Sequence, residues 1–397
     1  MRLGLIVILL VVNWLGIGKQ PKSAQVDVQD VVAVYTYGIN VNFQARLTAA
    51  EEVEQAYLMI QSEGENTRIE ELNWNSTGEI RYTYDLSLHP LRPFSHTYYW
   101  FRLITKNGEI TTPSYWFDYI DNRVEWKSLS NEYFDIHWQD DALTFGQKVM
   151  NTAKSSLEAA QKILPVAPTL PMKIYIYPNA EALQNALLGL SENWVAGHAS
   201  PDLGVILLSI SQGPDQALEL ERQLPHELMH ILEYNLVGKQ YGNTPVWLRE
   251  GTASITELYP DADYQRVLDS AIKNGEVLSF SDLCSAFPQD ASDTYLAYAQ
   301  SASFVRYIYR TYGSTGLTNL MRQYQTGLGC DEGVQAALGK STLEIQNDWL
   351  QTSSSFSPPS QVYKTLSPYL LVVLLVIIVP LVLVLIFVRP KRQEKPS

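Results

Sequence analysis

The alternation of apolar and polar residues changes character about a third of the way along the chain. From Gln25 to about Trp126, residues alternate or run apolar over strand lengths, and turn residues such as Asn107-Gly108 separate these runs. This pattern predicts about six or seven short strands, which is typical of a β-sandwich of the immunoglobulin or fibronectin type III style.

Beyond Glu132, both strands and helices are predicted. Strand-like runs are found at residues 133–138, 172–177 and 204–210, and a helical pattern at residues 143–164. After Pro214 the chain is predicted to be helical almost to Gln351. Strands that precede helices in this way indicate an α+β fold class, here a mixed sheet followed by a helical region.

The N-terminal segment is apolar. A basic residue, Arg2, precedes an almost unbroken apolar run over residues 3–18, and small residues follow this run. The arrangement predicts a secretory signal peptide over residues 1–24. Because Lys22 is unfavourable for cleavage after Ala24, an uncleaved signal anchor is the alternative.

A second apolar segment lies near the other end of the chain. Residues 369–388 are continuously apolar and span about 30 Å as a helix, which is the thickness of the hydrocarbon core of a bilayer. Four basic residues follow at once: Arg389, Lys391, Arg392 and Lys395. The positive-inside rule therefore places the C-terminus in the cytoplasm and the body of the chain outside the cell membrane.

These patterns divide the chain into six segments. They are a signal peptide (residues 1–24), a β-sandwich domain (25–128), a domain of strands and helices (129–351), a Ser/Pro-rich stalk (352–367), a transmembrane helix (368–388) and a basic cytoplasmic tail (389–397). The predicted localisation is the cell membrane, with a single span and an extracytoplasmic ectodomain.

Composition narrows the classes of function. Hydrophobic residues make up 46% of the chain, which excludes a disordered protein. The net charge of −13 argues against a nucleic-acid partner, because phosphates bind basic surfaces. The two cysteines, Cys284 and Cys330, are too few for a multi-cysteine metal cluster. An oxidising compartment permits a disulfide between them, but the sequence does not show whether they are close.

The candidate chemistry lies in the predicted helical region. His226-Glu227-Leu-Met-His230 places two imidazoles four residues apart, on one face of a helix, from which both reach a single metal ion. Glu227 follows the first histidine and is placed to take the proton of a metal-bound water. A catalytic zinc site typically has three protein ligands, and the candidate third is Glu250, in Trp247-Leu-Arg-Glu250-Gly.

Together these motifs resemble those of the gluzincin zinc metallopeptidases, the group of thermolysin and the aminopeptidase N-like enzymes. They look closest to the compact bacterial peptidase-MA-like domains of that group. The resemblance covers about residues 132–351 and implies a gluzincin-like fold for this domain. It also implies that His226, His230 and Glu250 bind zinc and that Glu227 is the general base.

The chain departs from one branch of this group. The aminopeptidase N-like enzymes carry a Gly-x-Met-Glu-Asn segment that holds the free amino group of the substrate, and residues 193–202 do not match it. Exopeptidase activity is therefore not implied. His198, in the same segment, is either a substrate contact or a loop histidine without a role.

The resemblance assigns further roles. It implies a strand that runs along the cleft edge, antiparallel to the substrate. Residues 204–210 are expected to form it, and an ordinary core strand is the alternative. Glu257 shares a helix face with Glu250 and is a candidate to orient a ligand histidine, although a plain surface glutamate is the alternative. Gluzincins commonly supply a Tyr or His donor to the oxyanion. Tyr298, in Tyr-Ala-Gln-Ser-Ala-Ser-Phe-Val, is expected to be this donor, with Tyr295 as the alternative.

The sequence therefore predicts a membrane-anchored, extracytoplasmic zinc peptidase that acts on peptide or protein substrates through a zinc-activated water and Glu227. The alternative is a surface binding or adhesion protein in which the peptidase-like domain is an inactive scaffold. The intact Glu227 favours the enzyme, because a scaffold has no physical need for the base. A zinc hydrolase that acts on something other than peptides also stays open.

Overall fold

The computed structural model describes residues 26–139, 143–169, 171–188, 197–259 and 261–354. The predicted signal peptide, transmembrane helix and cytoplasmic tail lie outside these residues, as does the predicted stalk beyond Ser354. Among the helices of the described residues, none has both the length and the apolar character needed to cross a membrane. The described architecture is of the predicted α+β class, with β-sheets first and a helical region toward the C-terminal end.

The N-terminal unit consists of two antiparallel sheets. Its eight strands are β1 (Val26–Thr36), β2 (Asn40–Ala49), β3 (Val53–Ser62), β4 (Arg68–Leu72), β5 (Glu79–Asp85), β6 (Ser95–Thr105), β7 (Gly108–Thr111) and β8 (Tyr115–Tyr119). One sheet has the order β1-β2-β5, and the other has the order β4-β3-β6, with β7 and β8 both paired to β6. Phe43 of β2 and Leu58 of β3 belong to one buried core, so the two sheets pack face to face as a sandwich.

A second, mixed sheet follows. Its strands are β9 (Lys127–Ser130), β10 (Phe134–Trp138), β11 (Met172–Tyr177), β12 (Gly197–Ser200) and β13 (Val205–Ser209). In the order β12-β13-β11-β10-β9, the three central strands are parallel and the two outer strands are antiparallel to their neighbours. The sequence pattern predicts the three central strands. The two outer strands have four residues each, which is too short for a periodic pattern to show.

The helical region contains most of the remaining chain. The helices are α1 (Leu143–Ile163), α2 (Ala180–Leu187), α3 (Gln216–Val237), α4 (Val246–Ser254), α5 (Ala262–Asn274), α6 (Ala291–Gln325), α7 (Cys330–Leu338) and α8 (Thr342–Ser354). Short 3₁₀ helices cover Gly238–Asn243 and Asp282–Cys284. α6 is interrupted at Gly313, whose φ of 71° is left-handed. α8 continues past Gln351, where the stalk was expected to begin.

A disulfide joins Cys284 to Cys330, whose Cα atoms are 6.0 Å apart. The pairing that the sequence leaves open is therefore formed. It ties the second 3₁₀ helix to the start of α7, across 46 residues of chain. A cross-link that closes a loop of this length stabilises the fold by about 4 kcal/mol in the chain-entropy account, because the unfolded chain loses freedom.

The mixed sheet is covered on both faces. Ile174 and Ile176 of β11 pack into the core formed with α1 and α3. The alternate residues Tyr175 and Tyr177 point the other way, into the core of the sandwich. Burial on both faces explains why β11 reads as an apolar run rather than as a polar–apolar alternation. The sandwich is thus built onto the back of the mixed sheet.

Polar contacts reinforce this junction. Arg92, in the sandwich, forms two hydrogen bonds of 2.7 Å with the carboxylate of Asp202, in the turn that connects β12 to β13. The hydroxyl of Tyr37 donates a hydrogen bond of 2.6 Å to the carbonyl of Ala186 on α2. The sandwich therefore holds the β12 side of the mixed sheet directly.

Candidate active site

Two imidazoles and a carboxylate converge between α3 and α4. His226 and His230 lie one turn apart on α3, and their rings meet edge-on with centroids 5.1 Å apart. Glu250 projects from α4 and places its Oε2 3.4 Å from Nε2 of His226 and 3.8 Å from Nε2 of His230. The three ligand atoms lie within 4.8 Å of one another. The structure thus brings together the three residues predicted to bind metal.

A proline inside α3 allows this helix to form hydrogen bonds with the segment after α4. Pro225 has no N–H to donate, so the carbonyl of Glu221, one turn earlier, lacks its helical partner. That carbonyl instead accepts a hydrogen bond of 3.1 Å from the N–H of Leu258. The carbonyl of Pro225 accepts another, also of 3.1 Å, from the hydroxyl of Thr256. These two bonds hold Glu257 against the first ligand histidine.

Close packing of α4 on α6 sets the position of Glu250. Trp247 is fully buried and anchors the start of α4. A Cβ at Gly251 would lie 2.5 Å from Val305 and 2.6 Å from the carbonyl oxygen of Ser301, both on α6. Because only glycine permits this approach, helix packing accounts for the glycine that follows the carboxylate.

The second ring nitrogen of each histidine is also engaged. Nδ1 of His226 lies 3.0 Å from Oε1 of Glu257, which is the contact expected for Glu257. Nδ1 of His230 lies 3.1 Å from Oε2 of the fully buried Glu233, which also accepts a hydrogen bond of 2.9 Å from the hydroxyl of Tyr241.

Sequence reasoning missed Glu233 and Tyr241. The spacing of three residues between His230 and Glu233 is a usable signal, because it places both side chains on one face of α3. Tyr241 lies on the 3₁₀ helix after α3, where no periodic spacing relates it to the histidines.

The donor set fits a zinc ion. Imidazole nitrogen and carboxylate oxygen are ligands that zinc prefers, and three protein ligands leave a position for water or substrate. Nδ1 of each histidine faces a carboxylate, so with a metal bound the ring proton would reside on Nδ1 and Nε2 would be free to bind the ion. These features agree with an open, catalytic type of site rather than a closed site of four protein ligands.

The three converging side chains influence one another's pKa values. Burial alone would raise the pKa of Glu250, but the imidazoles of His230 and His226 lower this pKa to about 2. Burial also acts to lower the pKa of His226, yet its hydrogen bonds to Glu250 and Glu257 raise that pKa overall. The ligand carboxylate is therefore ionised at physiological pH, as metal coordination requires.

Glu227 lies beside the convergence point without belonging to the ligand set. The backbone of β12 passes so close that a Cβ at Gly197 would lie 2.7 Å from Oε1 of Glu227. Burial raises the pKa of Glu227, and the imidazoles of His226 and His230 offset this only in part. The motif glutamate is thus a half-buried carboxylate that lies against the edge of the sheet.

A cavity of about 720 Å³ opens over these side chains, and β12 lines it. The expectation that residues 204–210 form the cleft edge is wrong, because β13 lies inside the sheet, between β11 and β12. The outermost strand is β12, which pairs only with β13 among the described strands. No described strand pairs with its other side, and β12 lines the cavity.

His198, whose role the sequence leaves undecided, lies on β12 and lines this cavity. Burial lowers the pKa of His198, and the positive charges of His230 and Arg92 lower it further. Since Arg92 belongs to the sandwich, an electrostatic influence of the sandwich reaches the cavity.

Two tyrosines of α6 line the cavity, and they differ in whether the hydroxyl already has a hydrogen-bond partner. The hydroxyl of Tyr295 is hydrogen-bonded to Asp261. The hydroxyl of Tyr298 has no such partner among the described residues. Burial raises the pKa of Tyr298, and the nearby charges of Glu250 and Glu227 raise it further, so this hydroxyl stays protonated beside the metal ligands. The geometry therefore favours Tyr298 over Tyr295 as a free donor.

Comparisons with known proteins agree with this site. The family model of the Peptidase MA superfamily matches residues 152–354, a range that contains every residue of the convergence point. No curated protein matches the chain. Among solved structures, the chain is similar to an aminopeptidase N family protein from Idiomarina loihiensis, with 10% identity, coverage of 80% of this chain and 73% of that one, and a TM-score of 0.40.

Two smaller structures are also similar. A myokine structure is 12% identical and covers 23% of this chain and 93% of its own, with a TM-score of 0.19. A β-1,3-glucan-binding domain of carbohydrate-binding module family 56 is 10% identical and covers 23% of this chain and 98% of its own, with a TM-score of 0.17. Because no TM-score here exceeds 0.40, the family match alone identifies the chain.

Proposed function

The chain belongs to the Peptidase MA superfamily, and from this premise we propose that it is a zinc-dependent peptidase of the gluzincin type. The observation that carries the proposal is the convergence of His226, His230 and Glu250 beside a separately held Glu227. In this proposal residues 129–351 form the peptidase domain and residues 25–128 form the sandwich that supports it.

Each residue has a defined task in the reaction. Zinc held by His226, His230 and Glu250 would supply a Lewis acid that polarises the scissile carbonyl and lowers the pKa of water. Glu227 accepts the proton of the attacking water on a carboxylate oxygen and returns it to the nitrogen of the leaving amine. The carboxylates that face Nδ1 of the two histidines hold the rings in orientation through these contacts.

The edge strand β12 supplies a binding surface for an extended peptide. No described strand pairs with its outer side, which is therefore able to form a ladder of hydrogen bonds with the substrate, as in other cases of strand addition. Gly197 lies against the side chain of Glu227, so a peptide paired with β12 carries its backbone past the base.

Tyr298 is proposed to donate a hydrogen bond to the oxyanion that forms when water adds to the scissile carbonyl. Its hydroxyl is protonated, faces the cavity and lies close enough to Glu250 and Glu227 for their charges to affect it.

Tyr298→Phe is expected to lower kcat by about 10- to 1000-fold with zinc content unchanged, because it removes the hydroxyl and keeps the ring. Steady-state kinetics and elemental analysis measure the two quantities. Tyr295→Phe is the matched control on the same helix and is expected to have a smaller effect, since that hydroxyl is already bonded to Asp261. An unaltered kcat in Tyr298→Phe leaves the oxyanion to the metal or to Tyr295.

We further propose that the peptidase domain lies outside the cell membrane and is anchored by residues 368–388. The apolar segments at both ends and the basic residues after the second one support this topology. The disulfide between Cys284 and Cys330 agrees with it, because disulfides persist in oxidising compartments.

A reporter that is active only in the cytoplasm is expected to work when fused after Ser397 and to fail when fused in the stalk near Pro359. The expected difference follows from the bilayer between the two points. The opposite pattern of reporter activity would invert the topology.

Digestion of a peptide library by the purified ectodomain tests the proposed activity. Cleavage that a zinc chelator abolishes and that added zinc restores is the expected result. Cleavage that resists the chelator would refute zinc dependence. Binding of peptides without any cleavage would instead favour the inactive-scaffold alternative.

A further inference from the structure

Two arginines line the cavity, and their guanidinium groups differ in their polar partners. Arg222, on α3, donates a hydrogen bond of 3.4 Å to the carbonyl of Tyr259 and lies 4.0 Å from a carboxylate oxygen of Asp261. Arg249, on α4, has no ion pair and no hydrogen bond to its side chain among the described residues, and its Nε is buried without a partner. Within the described part of the chain, therefore, only Arg222 of these two arginines is paired with an acidic group.

Arg249 is nevertheless fixed in place. Its guanidinium lies over the ring of Tyr241, with Cζ 5.1 Å from the ring centroid. The ring in turn is held by the hydrogen bond of 2.9 Å from its hydroxyl to Glu233. Stacking on an aromatic face leaves the N–H groups at the edge of the guanidinium free, and they form a fork that matches a planar carboxylate.

The acidic residues near Arg249 already have other partners. Glu233 and Glu257 each contact one histidine, and Glu250 lies between both histidines. Glu250 and Arg249 influence each other electrostatically but do not form an ion pair. A partly buried positive charge without a paired anion is unfavourable, and a carboxylate brought by a ligand would remove this penalty.

We propose that Arg249 binds a carboxylate of the substrate, so that the site selects peptides with a carboxylate close to the scissile bond. This inference rests on the proposed peptidase function, and two sources supply the same chemistry: an Asp or Glu side chain, or a free C-terminus. Arg249 lines the same cavity as His226, His230 and Glu250. The carboxylate therefore belongs to a residue close to the scissile bond.

Matched peptides separate the two sources. One pair differs only in Glu or Gln at a position near the cleavage site, and a second pair differs only in a free or amidated C-terminus. The full-length protein in detergent is expected to cleave the carboxylate-bearing member of one pair with a kcat/KM at least about 10-fold higher, the scale of a charge-assisted contact. The pair that shows this preference identifies the source.

Variants of the two arginines then assign the preference to one side chain. Arg249→Gln is expected to abolish the discrimination, and Arg249→Glu is expected to reverse it in favour of a peptide with Lys at the same position. Arg222→Gln is the matched control from the same cavity and is expected to keep the discrimination, because Arg222 already pairs with Asp261. Thermal unfolding of each variant confirms that it is folded.

A binding measurement separates this inference from the proposed function. The Kd of each peptide for the Glu227→Gln protein, with and without Arg249→Gln, reports carboxylate recognition even where no peptide is cleaved. Absence of cleavage by the wild-type protein, together with carboxylate-dependent binding to Glu227→Gln, would overturn the peptidase function and support the role of Arg249. Equal cleavage or equal binding of both members of each pair, or discrimination that survives in Arg249→Gln, would overturn the inference.

Discussion

Replacing Glu227 with glutamine is expected to lower peptide hydrolysis by about 100-fold or more while the zinc content stays unchanged. The amide has nearly the shape of the carboxylate but does not accept a proton from the attacking water. Glu227 is not one of the three converging ligands, so the metal keeps all of its protein ligands in this variant. Steady-state kinetics and elemental analysis of one preparation provide both quantities.

Glu221→Gln is the matched control, since Glu221 lies on the same helix and does not line the cavity. It is expected to leave turnover at the wild-type level. Wild-type turnover in Glu227→Gln would remove the base from the mechanism. Loss of zinc from Glu227→Gln would show instead that this side chain supports the ligand set.

Substitution of His226, His230 or Glu250 by alanine is expected to strip most of the zinc and abolish hydrolysis. Each change leaves two of the three convergent donors, and two protein ligands do not complete a catalytic zinc site. Elemental analysis after dialysis against metal-free buffer measures the loss. Full zinc occupancy in Glu250→Ala would exclude Glu250 from the site.

Glu257→Gln is a control for the ligand variants in which a smaller loss of zinc affinity is expected. Glu257 contacts Nδ1 of His226 and is not one of the three converging residues, so its loss is expected to weaken zinc affinity by about 10- to 100-fold only. Excess zinc should therefore restore activity to Glu257→Gln and should fail to restore it to His226→Ala. Equal behaviour of the two variants would contradict the separation of ligand and supporting residue.

The relation between the two histidines was predictable from the sequence because it depends on local geometry. The spacing of four residues between His226 and His230 fixes their relation on any helix, and Glu227 lies between them. The position of Glu250 depends on the packing of α4 on α6 through Gly251, which no local pattern shows. For Glu250, only the resemblance to a known motif suggested a third candidate ligand.

The order of the strands in the mixed sheet was harder to predict from the sequence than the positions of the helices. Apolar runs predicted the three central strands of the mixed sheet, but the identity of the edge strand depends on pairing between distant segments. β12 has four residues and includes Gly197, so neither length nor propensity marks it as a strand. Tyr241 could not be predicted for the same reason. It contacts Glu233 only because the chain folds back toward α3 after that helix ends.

The sandwich and the mixed sheet share one core, so the molecule does not divide into two soluble halves at residue 128. A fragment that begins at Lys127 would keep every candidate ligand but would expose Tyr175 and Tyr177. It would also lose Arg92, which holds the turn beside β12. Apolar surface uncovered in this way favours aggregation. In the proposed membrane topology, release of the intact unit therefore requires a cut beyond α8, which frees the sandwich together with the peptidase domain.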